Sequence, residues 1–370
     1  MKKIRILHII KSLGRGGAEM LLPETLALHD QSKFEFHYIY FLPWKDQMVQ
    51  AIEEQGGIVN CFEAKNNIQL IGQYPKIADY CHSHQIDLIH CHLPWAGFVG
   101  RLVHRKTRIP MVYTEHNMQE RYHPVTKFLN KKSFNSQSLA VGVSEDVSQS
   151  IKNNISPSIP VRTILNGVNT QKFSRNKHDL SVREHYNIPE NAIVIGLVSV
   201  FRFQKRIKEW LQVFRNLKNS SSEEIFGLIV GAGPLEEEIM QEVERLNLRE
   251  SVIFTGLQEN TLPYFNAMDI FMMSSSFEGL PIALLEAMSM ECAIVTTNAG
   301  GIKEVVRDEK DGLMVPVEEW EELKERLQSL ITDRPKLTEL QKAARERVIT
   351  EFSLQVMTKN LEQAYMEFSE

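Results

Sequence analysis

Cysteine and long apolar runs are both scarce in this chain of 370 residues. The four cysteines, Cys61, Cys81, Cys91 and Cys292, lie in or beside apolar segments. Reduced thiols in a cytoplasmic protein fit this placement better than a disulfide framework does. No apolar run approaches the roughly 20 residues that a membrane-spanning helix needs. We therefore expect a cytoplasmic protein that does not cross a membrane.

The start of the chain is charged and then apolar, so a signal peptide must be considered. Its apolar part is short and interrupted, and Lys11 and Gly14 stand where a cleavage site would be needed. A buried first strand over residues 4–10 is the better interpretation.

Charge is distributed unevenly along the chain. Residues 1–168 hold 19 Lys and Arg against 14 Asp and Glu, a balance of +5, whereas residues 169–370 hold 23 against 33, a balance of −10. A basic first half suggests that this half faces something anionic. Chance variation in a solvated surface is the alternative.

The length of the chain, 370 residues, is greater than one hydrophobic core usually supports, so we expect two domains.

Short apolar runs alternate with amphipathic stretches almost throughout, which predicts α/β units wound into parallel sheets. The predicted strands are 4–10, 36–42, 58–62, 88–91, 111–114, 139–143 and 161–165, then 193–200, 226–230, 252–255, 270–274, 293–297 and 313–315. The polar stretch 169–190 interrupts the pattern and is predicted to be a linker. The predicted domains are therefore 1–168 and 191–352, and ligands of such folds bind at the carboxyl ends of the strands.

Two glutamates eight positions apart mark the most informative segment. Glu278 and Glu286 lie on either side of Gly279-Leu280-Pro281, just after the predicted strand 270–274. Pro281 suits the first position of a helix, whose free N–H groups and dipole can hold an anion. Carboxylates accept hydrogen bonds from sugar hydroxyls. The segment indicates a ligand that is part phosphate and part polyol.

A glycine-rich loop, Gly14-Arg15-Gly16-Gly17-Ala18-Glu19, follows the first predicted strand. Its glycines would allow close approach to a ligand before the helix that follows. The loop lacks the third glycine of the dinucleotide fingerprint and the lysine and hydroxyl of the Walker motif. A tight strand-to-helix turn without a ligand is the alternative.

Three further loops follow predicted strands of the second domain. Arg202 and Lys205 could grip a diphosphate, although such clusters are more often solvated helix starts. Gly231-Ala232-Gly233-Pro234 would let its loop pass close to a ligand. The backbone at Leu257, in Thr255-Gly256-Leu257, could lie beside the edge of a nucleobase.

Histidines near strand ends raise the question of a metal. His116 could form hydrogen bonds where the strand 111–114 ends, and His90-Cys91-His92 lies near Cys81 and His82. That spacing matches no common zinc pattern, and Asp-x-Asp is absent. We predict no metal site. The glutamate pair could also serve glycoside hydrolysis, but that reaction needs both carboxyls across one bond, and here a helix terminus lies between them.

Together these motifs resemble the retaining glycosyltransferases of family 4, which have the two-domain GT-B fold. Glu278 and Glu286 match the E-x7-E motif of that family, and Gly16-Gly17-Ala18-Glu19 is similar to its amino-terminal glycine loop. Gly231-Ala232-Gly233-Pro234 also matches. The resemblance covers nearly the whole chain. It implies two Rossmann-like domains facing each other across a cleft, with a C-terminal helix, 353–370, that packs back on the first domain.

The resemblance also implies roles for individual residues. Glu286 would hold the ribose of a nucleoside diphosphate and Glu278 a hydroxyl of the donor sugar. Arg202 and Lys205 would neutralise the leaving diphosphate, and His116 would lie near the transferred sugar. The remaining donor-binding positions are Gly16, Gly17, Gly233, Leu257, Gly279, Leu280 and Pro281.

The expected activity is transfer of a sugar, with retention and without a metal or cofactor, from a nucleotide sugar to a glycan or a lipid-linked acceptor in cell-surface polysaccharide synthesis. UDP- or GDP-linked donors are expected ahead of ADP-linked ones, and no nucleic acid is expected to bind. Basic segments at 101–106 and 127–132 suggest contact with the anionic inner face of the plasma membrane. The alternatives are an epimerase or phosphorylase of the same fold, or a non-catalytic nucleotide-sugar binding protein.

Overall fold

A computed structural model describes residues 3–176 and 179–369. The chain forms two compact units, one running up to Gly167 and resuming at Leu354, the other running from Val168 to Ser353. Positions 1, 2 and 370 of the predicted domains and positions 177 and 178 of the predicted linker lie outside the described residues. Each unit is built around one parallel sheet.

The first unit contains a seven-stranded sheet in the order β3-β2-β1-β4-β5-β6-β7. All its strand pairs are parallel, because each connection returns over a face of the sheet. The strands are β1 (Ile4–Ile9), β2 (Phe34–Tyr40), β3 (Ile58–Cys61), β4 (Leu88–His92), β5 (Met111–Glu115), β6 (Leu139–Gly142) and β7 (Val161–Thr163).

Helices cover this sheet and bury its apolar strands. They are α1 (Gly17–Leu26), α2 (Val49–Glu53), α3 (Asn67–Gly72), α4 (Tyr74–Ser83), α5 (Leu93–Thr107), α6 (Pro124–Ser133) and α7 (Glu145–Ile155), with a 3₁₀ turn at Gln119–Arg121. Strand residues such as Leu7, Ile9, Ile39 and Ile89 are fully buried. Burial on both faces explains why these strands are continuous apolar runs.

The last helix, α16 (Leu354–Ser369), belongs to this first unit. The hydroxyl of its buried Tyr365 lies 2.8 Å from Nδ1 of His90 in β4. Glu362 accepts a hydrogen bond from the backbone N–H of Asp30 and lies 3.0 Å from His29 Nδ1. Buried polar contacts therefore fix the position of α16 on the sheet.

The second unit contains a six-stranded parallel sheet in the order β10-β9-β8-β11-β12-β13. Its strands are β8 (Ile193–Val198), β9 (Ile225–Val230), β10 (Val252–Phe254), β11 (Ile270–Met273), β12 (Ala293–Thr297) and β13 (Leu313–Val315). Its helices are α8 (Ser181–His185), α9 (Ile207–Ser220), α10 (Glu236–Arg245), α11 (Leu262–Ala267), α12 (Ile282–Ser289), α13 (Ile302–Val305), α14 (Leu323–Thr332) and α15 (Arg334–Glu351), with 3₁₀ turns at Phe203–Lys205 and Val317–Glu322.

The segment predicted as a linker, 169–190, lies within this second unit. Arg183 of α8 is buried and donates a 2.8 Å hydrogen bond to Asp269, just before β11. The side chain of Asn266 bonds to the backbone of Asn176 and Asp179. The polar composition of the segment thus reflects packing through hydrogen bonds, which an apolar pattern does not reveal.

One further detail separates the structure from the sequence predictions, and another agrees with them. Helix α12 begins at Ile282, so Pro281 is its N-cap residue and not its first helical residue. Among residues 3–176 and 179–369, no helix is both long and apolar enough to cross a membrane.

Candidate active site

An ion pair joins the basic loop and the glutamate loop of the second unit. Nζ of Lys205 lies 2.6 Å from Oε1 of Glu278, which also accepts a 2.7 Å hydrogen bond from the Ser275 hydroxyl. The two loops follow β8 and β11, which are neighbours in the sheet. Their carboxyl ends therefore meet at the edge where such sheets bind ligands. Glu278 is 9% exposed, so its carboxylate depends on these partners.

Backbone contacts hold the same two loops together. The Ser276 N–H donates to the Gln204 carbonyl at 2.8 Å, and the Ser274 hydroxyl donates to the Arg206 carbonyl at 2.8 Å. Arg206 itself adopts a left-handed conformation and directs its guanidinium to the carbonyl of Val317. Lys205 therefore lies on a turn whose backbone is held in place by hydrogen bonds.

A glycine is required beside the backbone of Glu278. Gly300 has a φ of +55°, and a Cβ at this position would lie 2.1 Å from the Glu278 carbonyl oxygen. Any side chain there would displace the segment that carries the carboxylate.

Helix α12 positions the second glutamate. Glu286 is 8% exposed and lies in the second turn, between buried Leu285 and Ala287. Leu280, before the helix, is buried and anchors the turn, whereas Gly279 and Pro281 on either side are half-exposed. Free backbone N–H groups at the start of α12 are thus available to a ligand.

The two glycines of the 231–234 loop allow protein loops to approach one another. A Cβ at Gly231, whose φ is +134°, would lie 1.9 Å from the Ser199 carbonyl oxygen. A Cβ at Gly233 would lie 2.6 Å from the Phe201 backbone nitrogen. The Phe201 N–H donates to the Ala232 carbonyl at 3.0 Å. The loop therefore supports the backbone just before Arg202.

The outer face of these loops is exposed. Arg202 is exposed, and Phe203 and Leu257 are 71% and 70% exposed. The Gly256 carbonyl accepts a hydrogen bond from Gly231 N–H at 2.9 Å, which links the loop after β10 to the loop after β9. All the predicted donor residues of the second unit thus lie on loops after its strands or in the first two turns of α12.

Three predicted site residues belong to the first unit. Gly16 is the N-cap residue of α1, and Gly17 is its first residue. A Cβ on Gly16 would lie 2.3 Å from a carboxylate oxygen of Glu19, whose other oxygen accepts from Ser12 at 3.0 Å. His116 is half-buried just after β5.

Burial lowers the pKa of His116 to about 4, so its imidazole is neutral at physiological pH. Its loop is fixed by Glu115, a fully buried carboxylate that accepts from the backbone N–H of His116 at 3.0 Å and from Tyr113 at 2.8 Å. A neutral, positioned imidazole can donate one hydrogen bond and accept another.

Sequence reasoning missed His8, which lies beside the histidines of β4. His8 Nδ1 is 2.9 Å from His92 Nε2, and His92 Nδ1 is 3.5 Å from His116 Nε2. His90 contacts Tyr365 and Thr114 through its two ring nitrogens. The register places His8 directly opposite His90, so correct strand pairing would have revealed the cluster.

This cluster is also where a metal could be considered. Ring nitrogens of His8, His90 and His92 all lie within 4.8 Å of one another. Burial lowers the pKa of each of the three histidines, which leaves neutral imidazoles, the form that binds metals. Both nitrogens of His90 and of His92 already have polar partners, however, so a metal would have to displace them. That no metal binds stays a prediction.

The chain is similar in fold to solved glycosyltransferase structures. HepE of Anabaena, in complex with UDP and glucose, superposes with a TM-score of 0.87 at 20% identity, over 98% of this chain and 100% of that one. A sucrose-phosphate synthase from Thermosynechococcus elongatus superposes with a TM-score of 0.83 at 18% identity, over 99% of each chain. The predicted fold class, two parallel-sheet domains of GT-B type, is confirmed.

Several relatives in sequence are bacterial enzymes. The N-acetyl-alpha-D-glucosaminyl L-malate synthase of Bacillus anthracis is 23% identical over 82% of this chain and 83% of its own. The capsular polysaccharide biosynthesis glycosyltransferase CapM of Staphylococcus aureus is 25% identical over 100% of this chain and 98% of its own. An Escherichia coli UDP-Gal:alpha-D-GlcNAc-diphosphoundecaprenol alpha-1,3-galactosyltransferase is 24% identical over 99% of this chain and 97% of its own.

Family models match both halves of the chain. Residues 15–172 match the model described as Glycosyltransferase Family 4, and residues 180–347 match the model described as Glycosyl transferases group 1. The chain therefore belongs to the GT-B glycosyltransferases, with a family 4 first domain and a group 1 second domain.

Proposed function

We propose that this glycosyltransferase is retaining and metal-independent, and that it moves a hexose from a nucleotide diphosphate to a glycan or a lipid-linked acceptor. The Lys205–Glu278 pair carries this proposal, since a cation and a carboxylate that could accept hydrogen bonds from sugar hydroxyls lie side by side at the carboxyl edge of a parallel sheet. Helix α12, with Glu286 in its second turn, follows the loop that carries Glu278.

The donor side belongs to the second unit. Glu286 is proposed to accept from the ribose hydroxyls, while Lys205 and Arg202 face the diphosphate and the α12 N-terminus supplies backbone N–H groups. Exposed Leu257 is proposed to border the base. We favour a UDP-linked sugar because solved neighbours of the same fold contain UDP or UDP-glucose.

The acceptor is proposed to bind the first unit and to belong to surface polysaccharide synthesis. Relatives that cover nearly the whole chain are named for capsular polysaccharide or for a diphosphoundecaprenol-linked saccharide. Neutral His116 would form a hydrogen bond to the transferred sugar. We assign it no role as nucleophile, because the proposed reaction needs none.

The proposed chemistry occurs on one face of the sugar. The bond from the anomeric carbon to the diphosphate oxygen breaks, and its electron pair stays on the diphosphate. The acceptor hydroxyl bonds to the same face while its proton passes to the leaving phosphate. Lys205 and Arg202 stabilise the charge that develops, so the contribution of the protein is positioning and electrostatics.

Donor turnover tests the proposal. Purified protein is incubated with UDP-, GDP- and ADP-sugars and an acceptor extract, with and without EDTA, and nucleoside diphosphate release is measured. Release that survives EDTA and falls at least a hundredfold in Glu278→Gln is expected. Proton NMR of the product should show the anomeric configuration of the donor; an inverted product would contradict retention.

Two alternatives are distinguished by their co-substrate. A phosphorylase would need inorganic phosphate and form a sugar phosphate, and an epimerase would need only water. A non-catalytic binding protein would bind the donor without releasing nucleotide from any donor and acceptor pairing.

Peripheral contact with an anionic membrane is a further part of the proposal. On α6, Val125 and Phe128 are 56% and 59% exposed, and the Lys132 ammonium lies 5.9 Å from the Phe128 ring. Helices with such side chains bind anionic bilayers. The other predicted basic segment, 101–106, exposes less positive charge than expected. Arg101 is 1% exposed and donates a hydrogen bond to Gln137 at 2.8 Å.

Liposome sedimentation tests the membrane contact. Wild type should sediment with anionic vesicles more than with neutral ones, and Phe128→Ser should weaken this binding severalfold. Equal binding to both vesicle types would contradict the electrostatic contact.

A further inference from the structure

Loops after four neighbouring strands of the first unit form one surface, here called the lysine–tryptophan surface. Lys11 follows β1, Trp44 and Lys45 follow β2, Asn67 and Ile68 start α3 after β3, and Trp95 starts α5 after β4. These strands are adjacent in the order β3-β2-β1-β4. The surface therefore lies at the carboxyl edge of the sheet, where open α/β sheets bind ligands.

Lys11 is the centre of this surface. Its ammonium donates a 2.9 Å hydrogen bond to Oδ1 of Asn67 and lies 5.9 Å from the centre of the Trp95 ring. The side chain is half-buried. Burial, and then the neighbouring charge of Lys45, lower the pKa of Lys11, so the two cations are close enough to repel.

The backbone keeps Lys45 beside Lys11 despite this repulsion. The Leu13 N–H donates to the Lys45 carbonyl at 2.9 Å, and the Met48 N–H donates to the Leu13 carbonyl at 2.9 Å. The stem of Lys45 lies over Gly14, where a Cβ would be 3.6 Å from Lys45 Cβ. Two like charges held together in this way favour a shared anion.

No protein carboxylate supplies that anion within the described part of the chain. Neither Lys11 nor Lys45 forms an ion pair with an acidic side chain of residues 3–176 or 179–369. The charge of the adjacent Asp46 instead acts on Tyr40 and Cys61, whose pKa values are raised mainly by burial and to a lesser extent by Asp46. The pair of lysines is thus left available to a ligand.

Apolar side chains flank the lysines and remain in contact with solvent. Trp44 is 58% exposed and Ile68 is 83% exposed, while the half-buried Trp95 lies against the Lys11 ammonium. An exposed tryptophan and an exposed isoleucine beside two cations suit a ligand that carries both hydrocarbon and negative charge. A neutral glycan would use neither the charge nor the aliphatic contact.

We propose that the lysine–tryptophan surface binds the acceptor of the reaction and that this acceptor is a saccharide carried on a lipid diphosphate. Lys11 and Lys45 hold the diphosphate, and Trp44, Ile68 and Trp95 contact the first part of the lipid. This assignment rests on the proposed glycosyl transfer for its meaning, but binding to the surface can be measured without it.

The test uses the full-length protein and three probes: farnesyl diphosphate, farnesol and inorganic diphosphate. Binding is followed by quenching of tryptophan fluorescence, to which Trp44 and Trp95 would respond and fully buried Trp210 would not. The variants are Lys11→Gln, Lys45→Gln and both together. Lys76→Gln, an exposed lysine on α4 of the same unit, is the matched control.

Farnesyl diphosphate should bind at least tenfold more tightly than farnesol or inorganic diphosphate. The double variant should bind farnesyl diphosphate at least tenfold more weakly than wild type does, and the control variant should bind it as tightly as wild type. Lys45→Gln keeps the test valid if Lys11→Gln fails to fold, because the exposed Lys45 side chain forms no hydrogen bond or ion pair among the described residues.

Equal affinity for farnesol would overturn the role of the lysines, and equal affinity for inorganic diphosphate would show a plain anion site. UDP release from UDP-sugar is measured in parallel. Intact release without farnesyl diphosphate binding refutes this inference alone, whereas binding without any release refutes the proposed function alone.

Discussion

Lys205 and Glu278 form a 2.6 Å ion pair between loops that follow two adjacent strands, β8 and β11. Each side chain is mostly buried, at 16% and 9% exposure, so removing either one would leave the other poorly solvated. A phosphate that approaches Lys205, or a sugar hydroxyl that approaches Glu278, therefore meets a group that is already oriented.

Lys205→Met should impair both turnover and stability. Loss of the cation leaves a buried carboxylate without its charged partner, which we expect to cost about 3 kcal/mol of unfolding free energy. Loss of charge at the leaving diphosphate should lower kcat by roughly a hundredfold. Urea unfolding and steady-state kinetics measure the two effects.

A double variant and a control separate these effects. Lys205→Met with Glu278→Gln should recover most of the stability but none of the activity. Lys208→Met removes an ion pair of equal length, 2.6 Å to Glu238, that is exposed, and it should change the stability little, because solvent screens such pairs. Similar losses in Lys205→Met and Lys208→Met would contradict the importance of burial.

Glu286→Gln should weaken nucleotide binding. Replacing a charged acceptor by a neutral amide of the same shape should remove about 1.5–3 kcal/mol of hydrogen bonding, or roughly tenfold to a hundredfold in affinity for UDP. Calorimetric titration measures this change. Glu339→Gln, an exposed glutamate on α15, is the control, and unchanged UDP affinity in Glu286→Gln would refute the ribose assignment.

Gly233→Ala should lower activity through the protein backbone. The new Cβ would lie 2.6 Å from the Phe201 nitrogen, so the backbone before Arg202 must move. We expect kcat/KM to fall roughly tenfold, since displacements of about 1 Å have effects of this size or larger. Gly72→Ala, where a Cβ meets nothing within 4 Å, should keep full activity. Full activity in Gly233→Ala would show that the loop can shift without affecting catalysis.

Stability should fall as the pH is lowered from about 6.5 towards 4. Burial lowers the pKa of His116 to about 4 and that of His90 to about 3, so below pH 6.5 the unfolded chain binds protons that the native state does not. Each such histidine should lower the free energy of unfolding by up to about 1.4 kcal/mol per pH unit within this window.

Urea unfolding at several pH values measures this slope. His116→Asn should make it shallower by about one proton. Gly72→Ala, which changes no titratable group and places its Cβ in open space, should leave the slope unchanged. An unchanged slope in His116→Asn would show that His116 does not contribute to the acid sensitivity.

The elements of both sheets were predictable because each strand carries its own apolar signal. All thirteen predicted strands overlap strands of the described structure, and β12 and β13 agree at both ends. Errors concern polar segments. Arg101 was grouped with surface cations, yet it is buried among Asn130, Ser133 and Gln137, which a local pattern of charges does not reveal.

The sequence by itself determined the alternation of strands and helices and the order of the motifs, because local periodicity and turn residues specify these within short windows. Only the tertiary structure decided which side chains meet. Parallel pairing set His8 opposite His90, brought Lys205 to Glu278 across 73 positions and held Lys45 near Lys11. Such contacts depend on strand order and register, which arise from packing of the whole sheet and not from any one segment.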